Sequence, residues 1–162
     1  MPLTGKTVKE TAVVISQVMT PQDINKAGNV HGGVIMKLID SVAAVVAARH
    51  AQKNIVTASI DRLDFLSPVF VGDLVTCKAS LNLIGHSSME VGVRVETENL
   101  ATGEIHHTAS AYLSFVAIDK QGRPTTIPEL ILETEADKRR NRQAHARREM
   151  RLKERQSEAK AK

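Results

Sequence analysis

The spacing of apolar side chains along the chain changes abruptly near residue 32, and the change predicts two kinds of element. Residues 8–18 alternate loosely between branched apolar and polar side chains, which favours a first β-strand. Residues 20–29 are rich in Pro, Asn, Asp and Gly and are typical of a turn. From Gly32 to His50 the chain is apolar on nearly every side, which predicts a buried helix about 27 Å long.

Four stretches with strand-like periodicity follow the predicted helix. They span residues 55–66, 71–83, 89–98 and 109–117. In the third stretch, Met, Val and Thr at odd positions alternate with polar or small residues at even positions. That pattern is typical of an antiparallel strand with one face in solvent. Turn residues at 85–88 and 101–103 separate the last three stretches. We therefore expect one strand, the helix, and then four strands in a meander.

The predicted helix and the roughly five predicted strands must bury each other. Because the helix is apolar on nearly every side, a flat sheet would leave its far side in water. Either the sheet curves around the helix, or a second copy of the chain covers what remains. The pattern therefore predicts an α+β fold and at least a homodimer.

Charge divides the chain into two parts. Residues 133–162 contain 11 Lys and Arg against 6 Asp and Glu, whereas residues 1–132 contain 11 against 12. The segment from Glu129 onward lacks Pro and Gly and is rich in residues that favour helices. We expect one near-neutral domain at 1–128 and a basic helical tail at 129–162. The tail has few apolar anchors, so we expect it to be solvated and its end to be frayed.

Composition excludes several classes of protein. A single cysteine, Cys77, rules out an intramolecular disulfide framework and a cysteine-based zinc site, and we expect no metal. Four aromatic residues are too few for a platform that stacks single-stranded nucleic acid. The most apolar stretch, 34–48, is shorter than the roughly 20 residues that a bilayer requires. With no visible signal peptide, these features predict a cytoplasmic protein without a membrane span.

A loop of small and polar residues leads into the start of the predicted helix. Free amide groups at a helix N-terminus attract an anion or an oxygen that gains negative charge. Gly32 and Gly33 would let a ligand approach the backbone closely, as in an oxyanion hole. The alternative is that both glycines only permit a tight entry into the helix.

Asp40 interrupts the apolar helix two turns after its start. A carboxylate in such a place needs a partner, a wet cavity or a raised pKa, unless it lies solvated at the rim of a subunit contact. Unexplained carboxylates of this kind are enriched at active sites. Gly32 lies eight residues earlier, about 12 Å along the helix axis. If both residues serve one site, a partner helix should bring Asp40 to it in trans.

The segment Gly-Asn-Val-His-Gly-Gly, followed by Lys-Leu-Ile-Asp, resembles the acyl-CoA thioesterases of the hot-dog fold. It is most similar to the brain-type cytosolic acyl-CoA hydrolase group and its bacterial relatives. The resemblance continues through residues 64–75 and 85–91 and covers about residues 8–118. It implies a long central helix wrapped by a curved antiparallel sheet. It also implies dimers that share a ten-stranded sheet, often assembled as trimers of dimers.

The resemblance also implies roles for individual residues. Asn29 falls where the family has an Asn or Asp that positions the nucleophilic water or the thioester. Asp40 falls at the catalytic carboxylate, which acts as a general base or attacks directly, from the opposite subunit. The amides of Gly32 and Gly33 would polarise the thioester carbonyl. His31 matches a variable position, and we interpret it as a packing or hydrogen-bonding residue at the substrate rather than a base.

The CoA part of the substrate should meet hydroxyls, cations or free amides, and no further cofactor is implied. Ser87 and Ser88 resemble the nucleotide-contacting turn of the family. Further candidates, chosen by charge alone, are Arg62, Arg94, Lys120 and Arg123.

The predicted reaction is hydrolysis of acyl-CoA to a fatty acid and CoA. One alternative is a hot-dog hydratase or dehydratase, but that branch places a Pro between a more widely spaced His and carboxylate. Here His31 and Asp40 are nine residues apart with no Pro between them. The other alternative is a non-catalytic module that binds acyl-CoA. Because Glu residues are interspersed among the basic residues of the tail, we expect no specific nucleic-acid partner.

Overall fold

The computed structural model describes residues 3–161. In chain order its elements are β1 (Lys6–Thr7), α1 (Val8–Thr11), β2 (Val13–Val18), a 3-10 turn (Pro21–Asp23), α2 (Gly32–Ala51), β3 (Asn54–Phe65), β4 (Leu74–Ile84), β5 (Ser88–Glu98), β6 (Ile105–Ile118), β7 (Leu130–Ile131) and α3 (Glu135–Lys160). The long helix predicted from Gly32 is confirmed. The predicted first strand is shorter than expected, because Thr7 and Glu10 form a capping box that starts a helical turn.

Five strands form one antiparallel sheet in the order β2-β4-β5-β6-β3. The predicted meander of four strands is therefore wrong. Only β4, β5 and β6 follow one another, whereas β3 leaves α2 and pairs with β6 at the far edge. Alternation identifies the face that each strand buries, but it does not identify the neighbouring strand.

The sheet curves around α2, which contacts all five of its strands. The core consists of the inner faces of the strands, including Val91, Leu113 and Phe115, packed on Ile39 and Val46 of α2. The helix is not buried on every side within one chain. Its opposite face is exposed at Met36, Lys37, Ser41, Val45, Ala48 and Arg49. The predicted α+β fold, with a curved sheet around a central helix, is confirmed.

A short strand near the N-terminus meets the segment that precedes α3 beside the C-terminus of α2. β1 pairs in parallel with β7 to form a separate two-stranded sheet, so Leu130 and Ile131 do not begin the C-terminal helix as expected. That helix, α3, starts after Thr134, whose capping box with Asp137 satisfies the first free amides. It continues to Lys160, in contrast to the expected frayed end.

α3 lies against the outer face of the sheet, the face that points away from α2. Ala144 is fully buried there, and the Arg147 guanidinium stacks 3.6 Å from the centre of the Tyr112 ring. The expectation of a solvated tail therefore holds for only one side of this helix. Within residues 3–161, none of the helices combines the length and apolarity needed to cross a bilayer.

Candidate active site

Asp40 lies half-buried at the margin of the open face of α2. Its Oδ1 accepts a hydrogen bond of 3.0 Å from the hydroxyl of Thr57 on β3. Its Oδ2 accepts no hydrogen bond from any residue in the described range 3–161. The hydrogen bond to Oδ1 thus orients the carboxylate and leaves Oδ2 available to accept a proton.

Thr57 reaches Asp40 because β3 runs back along α2. Thr57 pairs with Phe115, a fully buried core residue, so the two side chains share the face that covers the helix. The register of β3 shifts immediately after Thr57 and again between Ile60 and Arg62. The sequence pattern does not indicate Thr57, because a strand with two bulges no longer follows the alternation that marks its buried face.

His31 occupies the N-cap position of α2. Its Nδ1 accepts a hydrogen bond of 3.0 Å from the backbone amide of Gly33. A Cβ atom at Gly33 would lie 3.2 Å from that nitrogen, so glycine makes room for the imidazole ring. Because Nδ1 accepts, the proton of the neutral ring sits on Nε2. The predicted role of the Gly33 amide would therefore require His31 to rotate away.

The Gly32 amide donates to no residue within 3–161 and is the free donor at this helix start. A Cβ atom built on Gly32 would lie 3.5 Å from the ring of Phe65, at the end of β3. Gly32 therefore lies beside Phe65 at one end of β3, and Asp40 contacts Thr57, eight residues earlier in that strand. Within one chain, the free amide and the carboxylate lie at separate points of the same α2–β3 contact.

The loop before α2 is closed by a bridge between Ile24 and Val30. Inside it, the Asn25 amide donates to the Asn29 carbonyl at 2.8 Å, and the Asn25 Oδ1 accepts from the Ala27 amide at 2.9 Å. Both asparagines are half-buried. The side chain of Asn29 makes no hydrogen bond with the rest of the described chain. The family resemblance indicated Asn29 alone, although Asn25 lies at the base of the same loop.

Within residues 3–161, none of the predicted CoA-binding residues hydrogen-bonds to Asp40. Ser87 and Ser88 lie at the turn into β5, and Ser88 shares a row of the sheet with Val116 and Val56. Arg62 and Arg94 lie on the outer face and pair with Asp64 and Glu96 at 2.6 and 2.9 Å. Lys120 is exposed in the following loop, where Arg123 pairs with Asp119 at 3.1 Å.

Cys77 offers no alternative nucleophile. The side chain is buried in the core between β2 and β5, and burial raises the pKa of its thiol to about 11. The thiol therefore stays protonated near neutral pH and is a poor nucleophile.

Comparison with known proteins identifies the family of this chain. The family model of the thioesterase superfamily matches residues 27–104. The uncharacterised acyl-CoA thioester hydrolase YkhA of Bacillus subtilis is 39% identical over 150 residues, which cover 85% of this chain and 87% of that protein. The chain belongs to the thioesterase superfamily. The predicted resemblance to hot-dog acyl-CoA thioesterases is thereby confirmed.

Solved structures extend the similarity of this thioesterase over almost its whole length. An apo-hexameric acyl-CoA thioesterase matches with a TM-score of 0.90 and 38% identity, covering 94% of this chain and 97% of that chain. The acyl-CoA hydrolase of Staphylococcus aureus, in complex with butyryl coenzyme A and coenzyme A, matches with a TM-score of 0.88 and 33% identity. That match covers 96% of this chain and 95% of the other. Structures of the same hydrolase with an aspartate, an asparagine or a threonine replaced by alanine also match.

Proposed function

We propose that this thioesterase hydrolyses the thioester bond of acyl-CoA to give a free fatty acid and CoA, with Asp40 as its catalytic carboxylate. The observation that carries the proposal is the Thr57 hydroxyl at 3.0 Å from Asp40 Oδ1, which orients the carboxylate and leaves Oδ2 open. A thiolate is a good leaving group, so a water activated by one carboxylate suffices for attack.

Asp40 acts either as a general base or as a nucleophile. As a base, Oδ2 takes a proton from water while the water oxygen bonds to the thioester carbon. The C–S bond then breaks, and the CoA thiolate leaves and takes up a proton. As a nucleophile, the carboxylate bonds to the acyl carbon, the C–S bond breaks, and the CoA thiolate leaves and takes up a proton. Water then hydrolyses the resulting mixed anhydride, which releases the fatty acid and restores the Asp40 carboxylate. In both routes the Gly32 amide stabilises the negative charge on the carbonyl oxygen.

The Staphylococcus aureus hydrolase supports this choice of residues through its spacing. Its replaced aspartate lies 17 positions before its replaced threonine and 15 positions after its replaced asparagine. Asp40 lies 17 positions before Thr57 and 15 positions after Asn25. The spacing thus supports the Asp40–Thr57 pair. It also favours Asn25 over the predicted Asn29 as the asparagine of the site.

The site is proposed to form between two copies of the chain. Gly32 and Asp40 are about 12 Å apart along α2, too far for one carbonyl to meet both within a chain. An antiparallel α2 from a second copy, packed on the exposed face of the first, would bring Asp40 to the partner's helix start. The hexameric state of a similar acyl-CoA thioesterase supports a homo-oligomer, with the dimer as its minimum.

The proposal is tested by release of CoA from short, medium and long acyl-CoA substrates. Replacing Asp40 with Asn should lower kcat by at least about 100-fold, because loss of a catalytic base typically costs this much. Asp119→Asn, in a loop that follows β6, is the matched control and should retain wild-type turnover. Hydration of enoyl-CoA, or binding of acyl-CoA without turnover by the wild-type protein, would overturn the proposal.

A second pair of variants separates the two asparagines. Asn25→Ala should lower kcat strongly, whereas Asn29→Ala should retain most of the activity. A strong loss of activity in Asn29→Ala with little loss in Asn25→Ala would instead support Asn29, the asparagine predicted from the sequence. Circular dichroism and size-exclusion chromatography should show that both variants keep the fold and the oligomer.

A further inference from the structure

Two acidic side chains are buried on the outer face of the sheet, where the sequence pattern predicts solvent. The side chain of Glu90 on β5 is 1% exposed, and that of Asp61 on β3 is 12% exposed. A buried carboxylate is unfavourable unless cations and hydrogen-bond donors surround it. The groups that surround these two acids come mainly from α3.

Two arginines of α3 bind these acids: Arg147 binds Glu90, and Arg151 binds both Asp61 and Glu90. Arg147 binds Glu90 through two nitrogens, with Nη2 at 2.6 Å from Oε1 and Nε at 3.3 Å from Oε2. Arg151 Nη1 bonds to Asp61 Oδ2 and lies 3.3 Å from Glu90 Oε2. The amide of Asn82 on β4 donates to Glu90 at 3.2 Å. Arg151 therefore links the edge strand β3 to an anchor that lies two strands away.

These contacts show how α3 crosses the sheet. Asn141 donates to the carbonyl of Asn82 on β4, Arg147 contacts β5 and β6, and Arg151 reaches β3. From residue 141 to residue 151 the helix rises about 15 Å. Four neighbouring strands span three gaps, or about 14 Å. The helix thus lies across the strands and contacts them in their order in the sheet.

The far end of this contact meets the irregular part of β3. The register of β3 shifts between Thr57 and Ser59 and again between Ile60 and Arg62, so Asp61 lies in the second shift. Among residues 3–161, the edge strand β3 pairs with β6 alone. Residues in a bulge lose regular ladder hydrogen bonds. The ion pair between Arg151 and Asp61 therefore holds β3 four residues after Thr57, where regular backbone hydrogen bonds are lost.

We infer that α3 is a clamp on β3, and that Arg151 and Asp61 are positioning residues for Thr57. The Arg147–Glu90 ion pair fixes α3 to β5 and is the anchor of the clamp. The Arg151–Asp61 ion pair fixes the same helix to the bulged segment of β3. The clamp keeps Thr57 at hydrogen-bond distance from Asp40 from the opposite face of the sheet. The basic tail thereby acquires a role in the reaction, which rests on the proposed function of Asp40.

The first test is Arg151→Met, which keeps the length of the side chain and removes its charge. In the full-length protein we expect kcat to fall about tenfold with KM nearly unchanged, because small misplacement of a catalytic group costs turnover. Arg151→Lys should recover part of the loss. Arg155→Met is the matched control, since Arg155 lies one turn further along α3 and pairs with no described acid. Asp61→Asn tests the other side of the pair with minimal change in shape.

A double-mutant cycle separates positioning from general stabilisation. If the clamp acts through Thr57, Arg151→Met should lower kcat little further in a Thr57→Val background. Multiplicative effects, or wild-type kcat in both Arg151→Met and Asp61→Asn, would overturn the inference. A lower melting temperature of Arg151→Met with wild-type kcat would overturn it as well.

Hydrogen exchange measures the clamp without reference to catalysis. Arg151→Met should speed amide exchange in residues 55–62, and Arg155→Met should not. Unchanged exchange in that segment would refute the clamp even in an active enzyme. Absence of thioesterase activity in the wild-type protein would instead refute the proposed function, and the exchange result would still decide whether α3 holds β3.

Discussion

A hydroxyl and an imidazole determine the local geometry of the candidate site. The Thr57 hydroxyl directs one oxygen of Asp40, and the His31 ring occupies the Gly33 amide at the start of α2. Each side chain makes one hydrogen bond, to the Asp40 carboxylate or to the Gly33 amide. A small substitution should therefore remove either bond without changing the fold.

Thr57→Val should lower kcat by roughly tenfold or more, since a hydrogen bond to a charged group contributes about 1.5–3 kcal/mol. Valine keeps the branched shape and the strand preference of threonine. Thr57→Ser keeps the hydroxyl and should retain most of the activity. Steady-state hydrolysis of one acyl-CoA substrate compares the three proteins. Equal kcat for the valine variant and the wild type would remove Thr57 from the site.

Gly33→Ala should lower the free energy of unfolding by about 1 kcal/mol, the typical contribution of a side-chain N-cap. The new methyl group would displace the His31 ring, because its Cβ would lie 3.2 Å from Nδ1. Gly32→Ala is the control for stability, since its Cβ meets Phe65 at an ordinary 3.5 Å. Urea denaturation measures both variants. Equal stability losses would mean that the ring does not depend on glycine at position 33.

At the scale of elements, the C-terminus of α2 is held by the Lys6 side chain and by the backbone carbonyl of Pro128. Lys6 donates to the carbonyls of Arg49 and His50, at 2.7 and 3.1 Å, and Gln52 ends the helix in the left-handed conformation. His50 is fully buried, and its Nε2 bonds to the carbonyl of Pro128 at 2.8 Å. The same residues thus connect the helix to the segment that leads into α3.

The buried His50 should make stability depend on pH. Burial lowers its pKa, and the Lys6 charge adds to the shift, while the bond to Pro128 and the Glu10 charge oppose it. The unfolded chain binds this proton more readily than the folded chain. The free energy of unfolding should therefore be unaffected above about pH 6.5 and should decrease as pH falls toward the lowered pKa of the folded state.

Thermal unfolding of His50→Gln between pH 7.5 and 5 checks this dependence. Glutamine keeps an N–H donor for Pro128 and removes the titration, so the variant should show a flatter curve than the wild type. His145→Gln, on the exposed side of α3, should follow the wild-type curve. A wild-type slope in His50→Gln would assign the acid sensitivity to other groups.

At the scale of the whole molecule, one side of the chain is apolar and open. β3 is an edge strand with further hydrogen-bonding capacity, and it adjoins the exposed face of α2. Exposed apolar side chains on these two elements are Met36, Val45, Val56, Ile60 and Phe65. A second copy of the chain would cover them and would bring Asp40 to its partner's helix start.

Ile60→Glu should dissociate the oligomer and abolish most of the activity, because it places a charge on this open side. The side chain is 38% exposed in the single chain, so the folded protomer tolerates the change. Val14→Glu is the matched control on the opposite edge strand β2, where the valine is 62% exposed. Analytical ultracentrifugation and acyl-CoA hydrolysis measure both variants. A stable oligomer in Ile60→Glu would place the interface elsewhere.

Local patterns determined much of this protein. The apolar run from Gly32 predicted α2, and alternation predicted the inner faces of β4, β5 and β6. The isolated carboxylate of Asp40 within that run indicated a candidate catalytic residue. These features are visible in sequence because they depend on side-chain period and on the high free energy of burying an unpaired charge. The same patterns indicated the two glycines that begin α2, of which Gly32 keeps an amide that donates to no residue within 3–161.

Tertiary structure alone decided the remaining features. The place of β3 at the sheet edge, the contact of Thr57 with Asp40 and the burial of Glu90 under α3 all join segments that are distant in sequence. Alternation does not encode which strands are neighbours, and two bulges hide the inward side of β3. Residue type and side-chain period therefore specified the individual helices and strands. Long-range packing decided which of these elements are in contact, and those contacts set the geometry proposed for the active site.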